Sequence, residues 1–240
     1  METQRSRAEK VRVSIVIAVL ESYVVLRWQL AHFENIIREL NAADSVEVII
    51  VDDGSNPPNS PNRCYDYKLL LVYSNDQRPW SQPCARNLGA AYALGDYLLM
   101  TDIDHIISKE ALASVLAFTG DKMMFPRQWG VLLHGGEVTQ DIDLLVNYGL
   151  CPRAIEKNRL RAGMHANTFA IRKIIYNALR GYDESFCGKY GGDDTDFANR
   201  YSKLVASQMC APHVKGPAIY VYPDPKRDVK GMFHTLRKKR

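Results

Sequence analysis

Pairs of aspartates two residues apart occur at Asp102-Ile103-Asp104, Asp141-Ile142-Asp143 and Asp194-Thr195-Asp196. Such a triplet is either turn and helix-cap chemistry or a pair of hard oxygen donors for Mg²⁺ or Mn²⁺ shared with substrate phosphates. Position separates the cases. Asp102 and Asp104 close the apolar run Tyr97–Thr101, and residues two apart on an extended chain point the same way. Both carboxylates then converge past the carboxyl end of a strand, unless the segment is only a polar turn. Asp141 and Asp143 open an amphipathic segment with Ile142, Leu144, Leu145 and Tyr148, where helix-start carboxylates are expected. Asp193 and Asp194 follow Gly191-Gly192. The permissive glycines would let a carboxylate turn into a crevice as general base for a hydroxyl, and helix capping suits the same residues. Asp52-Asp53-Gly54-Ser55 ends another apolar run. It is turn chemistry or a carboxylate accepting from a nucleobase N–H at the sheet edge.

Other nucleotide sites and hydrolase sites are missing: no P-loop, no G-x-G-x-x-G after the first apolar run, no G-x-S-x-G and no H-E-x-x-H. Cys64, Cys84, Cys151, Cys187 and Cys210 are scattered and odd in number, which indicates neither a zinc ribbon nor a disulfide framework and suits a reducing compartment. No apolar run reaches the roughly 18 residues of a bilayer span, so a soluble, cytoplasmic protein is expected. The net charge of +4 is uneven, with Arg5, Arg7, Lys10 and Arg12 at one end and Arg237, Lys238, Lys239 and Arg240 at the other. These ends are solvated tails or an electrostatic arm for nucleic acid or an anionic membrane.

The elements that must position these residues alternate in type. Val11–Val19, Ser45–Val51, Lys68–Tyr73 and Tyr97–Thr101 read as strands. Val24–Leu40, Pro83–Leu94 and Lys109–Phe118 read as helices. Later come a strand over Lys122–Pro126, a short helix over Asp141–Tyr148, a strand over Asn167–Arg172 feeding a helix to Leu179, and a helix over Asp193–Val205. The order predicts one α/β domain with a parallel sheet covered on both faces and ligands beyond the carboxyl ends of its strands.

In order, Ser14-Ile15-Val16-Ile17, Val51-Asp52-Asp53-Gly54-Ser55, Ala85-Arg86-Asn87-Leu88-Gly89, Gly95-Asp96-Tyr97-Leu98-Leu99 and Asp102-Ile103-Asp104 are followed by Gly181-Tyr182-Asp183-Glu184-Ser185-Phe186 and Gly191-Gly192-Asp193-Asp194. This series resembles the inverting family 2 glycosyltransferases of the GT-A fold over roughly Val13 to Tyr222. The last segment is similar to the acceptor segment of the galactosyltransferase-like and chondroitin-polymerase-like branches. The resemblance implies a mixed, mainly parallel sheet in a single domain. It implies a nucleotide-binding half at about 11–106 and an acceptor half at about 107–225, with basic segments at 1–10 and 226–240. Asp52 would read the base beside backbone from Ala18 to Leu20, and Arg86 would lie near the donor. Asp102 would face the ribose or the metal, Asp104 would bind Mn²⁺ or Mg²⁺, and Asp194 would be the base. Asp193 stands where the family usually has Glu. A metal-ligating His often follows a late apolar strand in these branches. Here Ala218–Pro223 offers Tyr222, with His234 or His213 as substitutes.

The implied reaction is an inverting displacement on a nucleoside-diphosphate sugar, with a UDP-sugar as the expected donor. The expected acceptor is a glycan or small molecule, or, through the basic ends, a hydroxylated nucleic-acid base. A sugar nucleotidyltransferase should carry a Gly-rich loop after the first strand, and Ala18-Val19-Leu20-Glu21-Ser22 has no glycine. A non-catalytic binding module would have no need of both Asp104 and Asp194.

Overall fold

The computed structural model describes residues 10–150 and 161–223. Val13–Val19 (β1) is hydrogen-bonded in parallel to Val46–Asp52 (β2) on one side and Tyr97–Asp102 (β4) on the other, and Lys68–Tyr73 (β3) extends the β2 side in parallel. Beyond β4 lies Phe169–Arg172 (β11), antiparallel to both β4 and Lys122–Met124 (β6). Val214–Lys215 (β12) forms the far edge, parallel to β6. The sheet is therefore mixed and mainly parallel.

Its inner strands are continuous apolar runs because both faces are covered. From β1, Ile15 and Ile17 meet Leu30 and Phe33 of Tyr23–Glu39 (α1) and Leu112 and Val115 of Lys109–Leu116 (α3). Val16 and its neighbours Ile49 and Val51 turn the other way. They share a cluster with Ala85 of Gln82–Tyr92 (α2), Tyr176 of Lys173–Ala178 (α5) and Phe197 of Asp193–Ala206 (α6). Each fully buried Leu, Ile or Phe here contributes about 1.5–3 kcal/mol. Gly89 lets α2 approach β1, since a Cβ there would strike Val16 Cγ1 and lie 3.0 Å from Val51 Cγ2.

At the amino ends of the strands, Ser14 Oγ donates to Glu47 Oε1 (2.6 Å) and accepts from Gly95 N–H (2.8 Å), while Leu94 N–H donates to the same Glu47 oxygen. This buried network explains Ser14 and Gly95 as parts of the scaffold. Asp141 caps Ile142–Asn147 (α4), its side chain accepting from Leu144 N–H, as its place at a helix start suggested.

A second sheet lay outside the sequence reading. It orders Arg161–Ala162 (β10), Arg127–Trp129 (β7), Ile219–Val221 (β13) and His105–Ile106 (β5), and Val131–Leu132 (β8) pairs separately with Val138–Thr139 (β9). Strands of two or three residues are too short for alternation to be visible. The sheet matters because β5 begins one residue after Asp104.

Candidate active site

Register places the first two acids. In the ladder of β1, Val19 is level with Asp52 and Ala18 with Asp102. The two aspartates thus flank the carboxyl end of β1 one strand to either side, their backbones roughly 10 Å apart from the usual inter-strand spacing. Asp52 is buried and holds the following loop. One oxygen accepts from Ser55 N–H (2.8 Å), the other from Asn59 N–H (2.6 Å). Turn chemistry is therefore part of its role. It also lines a cavity of about 360 Å³ with Ser55, Asn56, Pro58 and Tyr73. Glu21 N–H donates to Ser55 Oγ (2.8 Å), drawing the end of β1, with half-buried Ala18 and Leu20, against this loop. Asp53 instead receives the hydroxyls of Ser74 and Ser81 and fastens the chain ahead of α2.

Across β1, Asp102 is the centre of a polar cluster. Arg86 Nη2 donates to its Oδ1 in a buried ion pair, Gln82 Nε2 donates to the same oxygen (3.0 Å) and Asn167 Nδ2 to the other (2.9 Å). Burial works against the Asp102 charge, but Arg86, then His105 and Asn167, hold its carboxyl below the ordinary range. Arg86 is itself buried, with its guanidinium carbon 5.0 Å from the centre of the Tyr182 ring. Its Nε and Nη1, the Tyr182 hydroxyl and Asn167 Oδ1 have no hydrogen-bond partner among the described residues. Unsatisfied buried groups of this kind cost about 1–3 kcal/mol each and are seldom retained without a use.

Asp104 differs. Among the described residues no cationic side chain forms an ion pair with it, and burial together with the Asp102 charge pushes its carboxyl up to about 7. His105 follows at once. Its Nδ1 lies 2.5 Å from Thr168 Oγ1 and its Nε2 3.3 Å from Arg127 Nη1. Burial above all lowers its pKa to about 4, so the ring is neutral, the form a metal ligand needs. Ligand atoms of Asp102, Asp104 and His105 lie within 4.8 Å of one another. Two carboxylates and a neutral imidazole, with one carboxylate lacking an ion-pair partner among the described residues, fit a divalent cation.

The third acidic segment enters from the helix side. Gly192 caps α6 at φ 94°, a left-handed conformation that suits glycine, with Phe186 packed below. Three acids in the first turn, Asp193, Asp194 and Asp196, face the positive end of the helix dipole. Asp193 is buried, which raises its pKa against the pull of Arg86. Asp194 is half-buried, with Oδ1 accepting from Thr195 N–H (2.8 Å). The charges of Asp102, Asp193 and Asp194 all act on Tyr182, and those of Asp102 and Asp194 on His165. The start of α6 therefore stands within electrostatic reach of the Asp102 cluster.

Two histidines, His234 and His213, were expected as substitutes in the metal shell. His213 is exposed beside β12 at the far edge of the sheet and belongs to no cluster with the acids; His234 lies outside the described residues. Tyr222 is fully buried and its hydroxyl accepts from Leu132 N–H (3.2 Å), so that tyrosine braces β8. The residue that does join the acids, His105, extends Asp102-Ile103-Asp104 by one position. The signal was adjacency to the triplet, and it was missed because a single histidine carries no pattern of its own. Gln82, Asn167 and Thr168 were missed because they act by supporting others, and Tyr182, though part of the motif series, had been given no role. Of the basic ends, Lys10 pairs with Asp96 (2.6 Å) and Arg12 lies over the Tyr97 ring, at the amino ends of β1 and β4, away from these acids. Arg5, Arg7 and residues 226–240 lie outside the described residues.

Residues 31–215 match the model of a family described as glycosyltransferase like family 2. No curated protein matches the chain in sequence. Among solved structures the chain is similar to residues 1–349 of S. aureus TarS, at 16% identity and a TM-score of 0.53, over 88% of this chain and 60% of that one. It is similar as well to the same TarS fragment in complex with UDP-GlcNAc, at 17% identity and a TM-score of 0.52, over 88% of this chain and 58% of that one. With UDP the values are 16%, 0.51, 90% and 62%. The chain thus spans about three-fifths of the length of these TarS fragments. At such identity the likeness speaks to the fold, a GT-A-like mixed sheet in one domain.

Proposed function

For a chain that belongs to the glycosyltransferase like family 2, we propose transfer of a sugar from a nucleoside diphosphate to an acceptor hydroxyl, with inversion and with help from Mn²⁺ or Mg²⁺. One observation carries this reading: Asp52 and Asp102 bracket the end of β1, with Asp104 next to Asp102 and the acids of α6 within electrostatic reach of the Asp102 cluster. A nucleotide lying across β1 would place its base in the cavity at Asp52, with Ala18 and Leu20 beneath it. Its ribose would lie toward Asp102, which Arg86, Gln82 and Asn167 hold ionised and oriented. A uridine donor is supported by the UDP and UDP-GlcNAc complexes of TarS, a protein of similar fold.

Asp104, with Asp102 and His105, would hold the cation. When bound it supplies charge to offset that building on the departing diphosphate. Asp194 takes the proton of the acceptor hydroxyl as that oxygen attacks the anomeric carbon. The bond to the diphosphate oxygen breaks on the opposite face and the nucleoside diphosphate leaves. Asp193, buried next to Arg86, anchors the α6 turn that aims Asp194. The nucleotide-binding half is about 11–106 and the acceptor half about 107–225. The favoured acceptor is a glycan or small molecule, since the basic residues Lys10 and Arg12 sit at the opposite end of β1 and would not bring a nucleic acid to Asp194.

A thermal-shift screen of nucleotide sugars with and without Mn²⁺ or Mg²⁺ tests the donor and the cation together. A shift that needs both, with nucleoside diphosphate as the released product, is expected. Release of pyrophosphate would mean nucleotidyl transfer instead.

A further inference from the structure

Cys84 lies in the first turn of α2, two residues ahead of Arg86, and Cys187 follows the 3₁₀ turn Glu184–Phe186. Although 103 positions apart, their sulfurs are 3.0 Å from each other. A disulfide brings sulfurs to about 2.0 Å, so bonding asks for side-chain motion of roughly 1 Å. Neighbouring contacts already hold the two segments together. Gly188 N–H donates to the Trp80 carbonyl (2.6 Å), the Trp80 and Tyr190 rings meet edge to face at 4.8 Å, and Asn87 Nδ2 donates to Glu184 Oε1 (2.9 Å). Arg78, held by Asp76, reaches Cys84 Sγ at 2.9 Å. The stretch 187–190, which leads into Gly191-Gly192-Asp193-Asp194, is thus laid against the start of α2.

We propose that Cys84 and Cys187 are a redox-active dithiol, a modification site at which a hydroperoxide or a small disulfide ties the 187–190 segment to α2. Burial, then Cys187 and Glu184, push the Cys84 thiol up, so Cys84 rests protonated. With a hydroperoxide, one thiol takes the terminal peroxide oxygen as a sulfenic acid, and the O–O bond breaks to give water or an alcohol. The second thiol attacks that sulfur, the S–O bond breaks and water leaves. The two sulfurs together lose two electrons to the peroxide. With a small disulfide, one thiolate displaces a thiol to give a mixed disulfide and the second displaces the other thiol. That the tie restrains the acceptor side rests on the transferase reading above; the dithiol itself does not.

The test treats the purified full chain with hydrogen peroxide or oxidised glutathione, alkylates it and maps the peptides by mass. A Cys84–Cys187 cross-link is expected, two hydrogens lighter than the dithiol, reversed by dithiothreitol and absent from Cys84→Ser and Cys187→Ser. Each variant is checked in reduced form by its thermal midpoint. Limited trypsin cleavage after the exposed Lys189 should be several-fold slower in the oxidised protein and unchanged by oxidant in either variant. Separate adducts on the two cysteines, or cross-links through Cys64, Cys151 or Cys210, overturn the dithiol. Equal cleavage after Lys189 overturns the tie. No donor or acceptor enters these measurements, so their failure is separate from failure of the transferase reading.

Discussion

At the level of single residues, Asp194 and Asp104 have different tasks and should fail differently. Asp194 would accept a proton only as the acceptor attacks, so Asp194→Asn should lower kcat by roughly 10²–10⁴-fold while donor affinity stays within a factor of a few. Near-normal turnover by that variant removes Asp194 from the role and turns attention to Asp193. Asp104 lacks an ion-pair partner among the described residues and is flanked by Asp102 and His105. Asp104→Ala should abolish the part of donor affinity that depends on Mn²⁺ or Mg²⁺ and leave the cation-independent part in place. Calorimetry of the UDP-sugar with and without cation reads both parts, and an unchanged cation dependence would contradict Asp104 as a ligand. Asp102 differs again, because its oxygens already accept from Arg86, Gln82 and Asn167. Asp102→Asn strands the buried Arg86 charge, and stability should fall by about 3–5 kcal/mol in a denaturant titration.

Elements decide where those residues point, and their legibility in the sequence follows their length. The long strands and helices from β1 to α3 were readable to within two residues at most ends because each carries a full apolar period. The triplet at Asp102 was interpretable because β4 is long enough to fix its direction, and Asp141 because α4 starts at once after it. His105 was not readable, since β5 has two residues and its place is set by pairing with Tyr220 and Val221, more than a hundred positions away. Motif residues also divided in a way the sequence could not show. In Ala85-Arg86-Asn87-Leu88-Gly89, Arg86 turns to Asp102. Asn87 binds Tyr182 and Tyr176, and Gly89 sets how closely α2 packs on β1. Gly89→Ala should therefore destabilise the fold by about 1–3 kcal/mol, the cost of overpacking. Denaturant unfolding of that variant checks it, and a neutral effect would mean that α2 moves away from Val16 without cost.

For the molecule as a whole, the half-buried acid Asp104 and the buried imidazole of His105 at the candidate cation site pull stability in opposite directions with pH. Asp104, raised to about 7 by burial and Asp102, keeps its proton in the fold at pH values where the unfolded chain has lost it. Its contribution is complete below its unfolded value of about 3.9 and is lost as pH rises through 7. His105, lowered to about 4 by burial, binds a proton in the unfolded chain first, so its contribution is present above about 6.5 and is lost as pH falls toward 4. The two slopes oppose each other between about pH 4 and 6.5, and only the Asp104 loss remains just above. A cation demands ionised Asp104 and neutral His105, so its binding strengthens as pH rises and removes that loss. The thermal midpoint without cation should fall between about pH 4 and 7 relative to Asp104→Asn, which has no proton to lose, and level off above. Added Mg²⁺ should raise the midpoint of the wild type more at pH 8 than at pH 6 and leave the variant nearly unchanged. Parallel pH curves for the two proteins, or an equal Mg²⁺ shift at both pH values, would show that Asp104 is not where the cation binds. The comparison uses the variant because His32 and Asp193, also shifted by burial, titrate in both proteins alike and cancel from the difference.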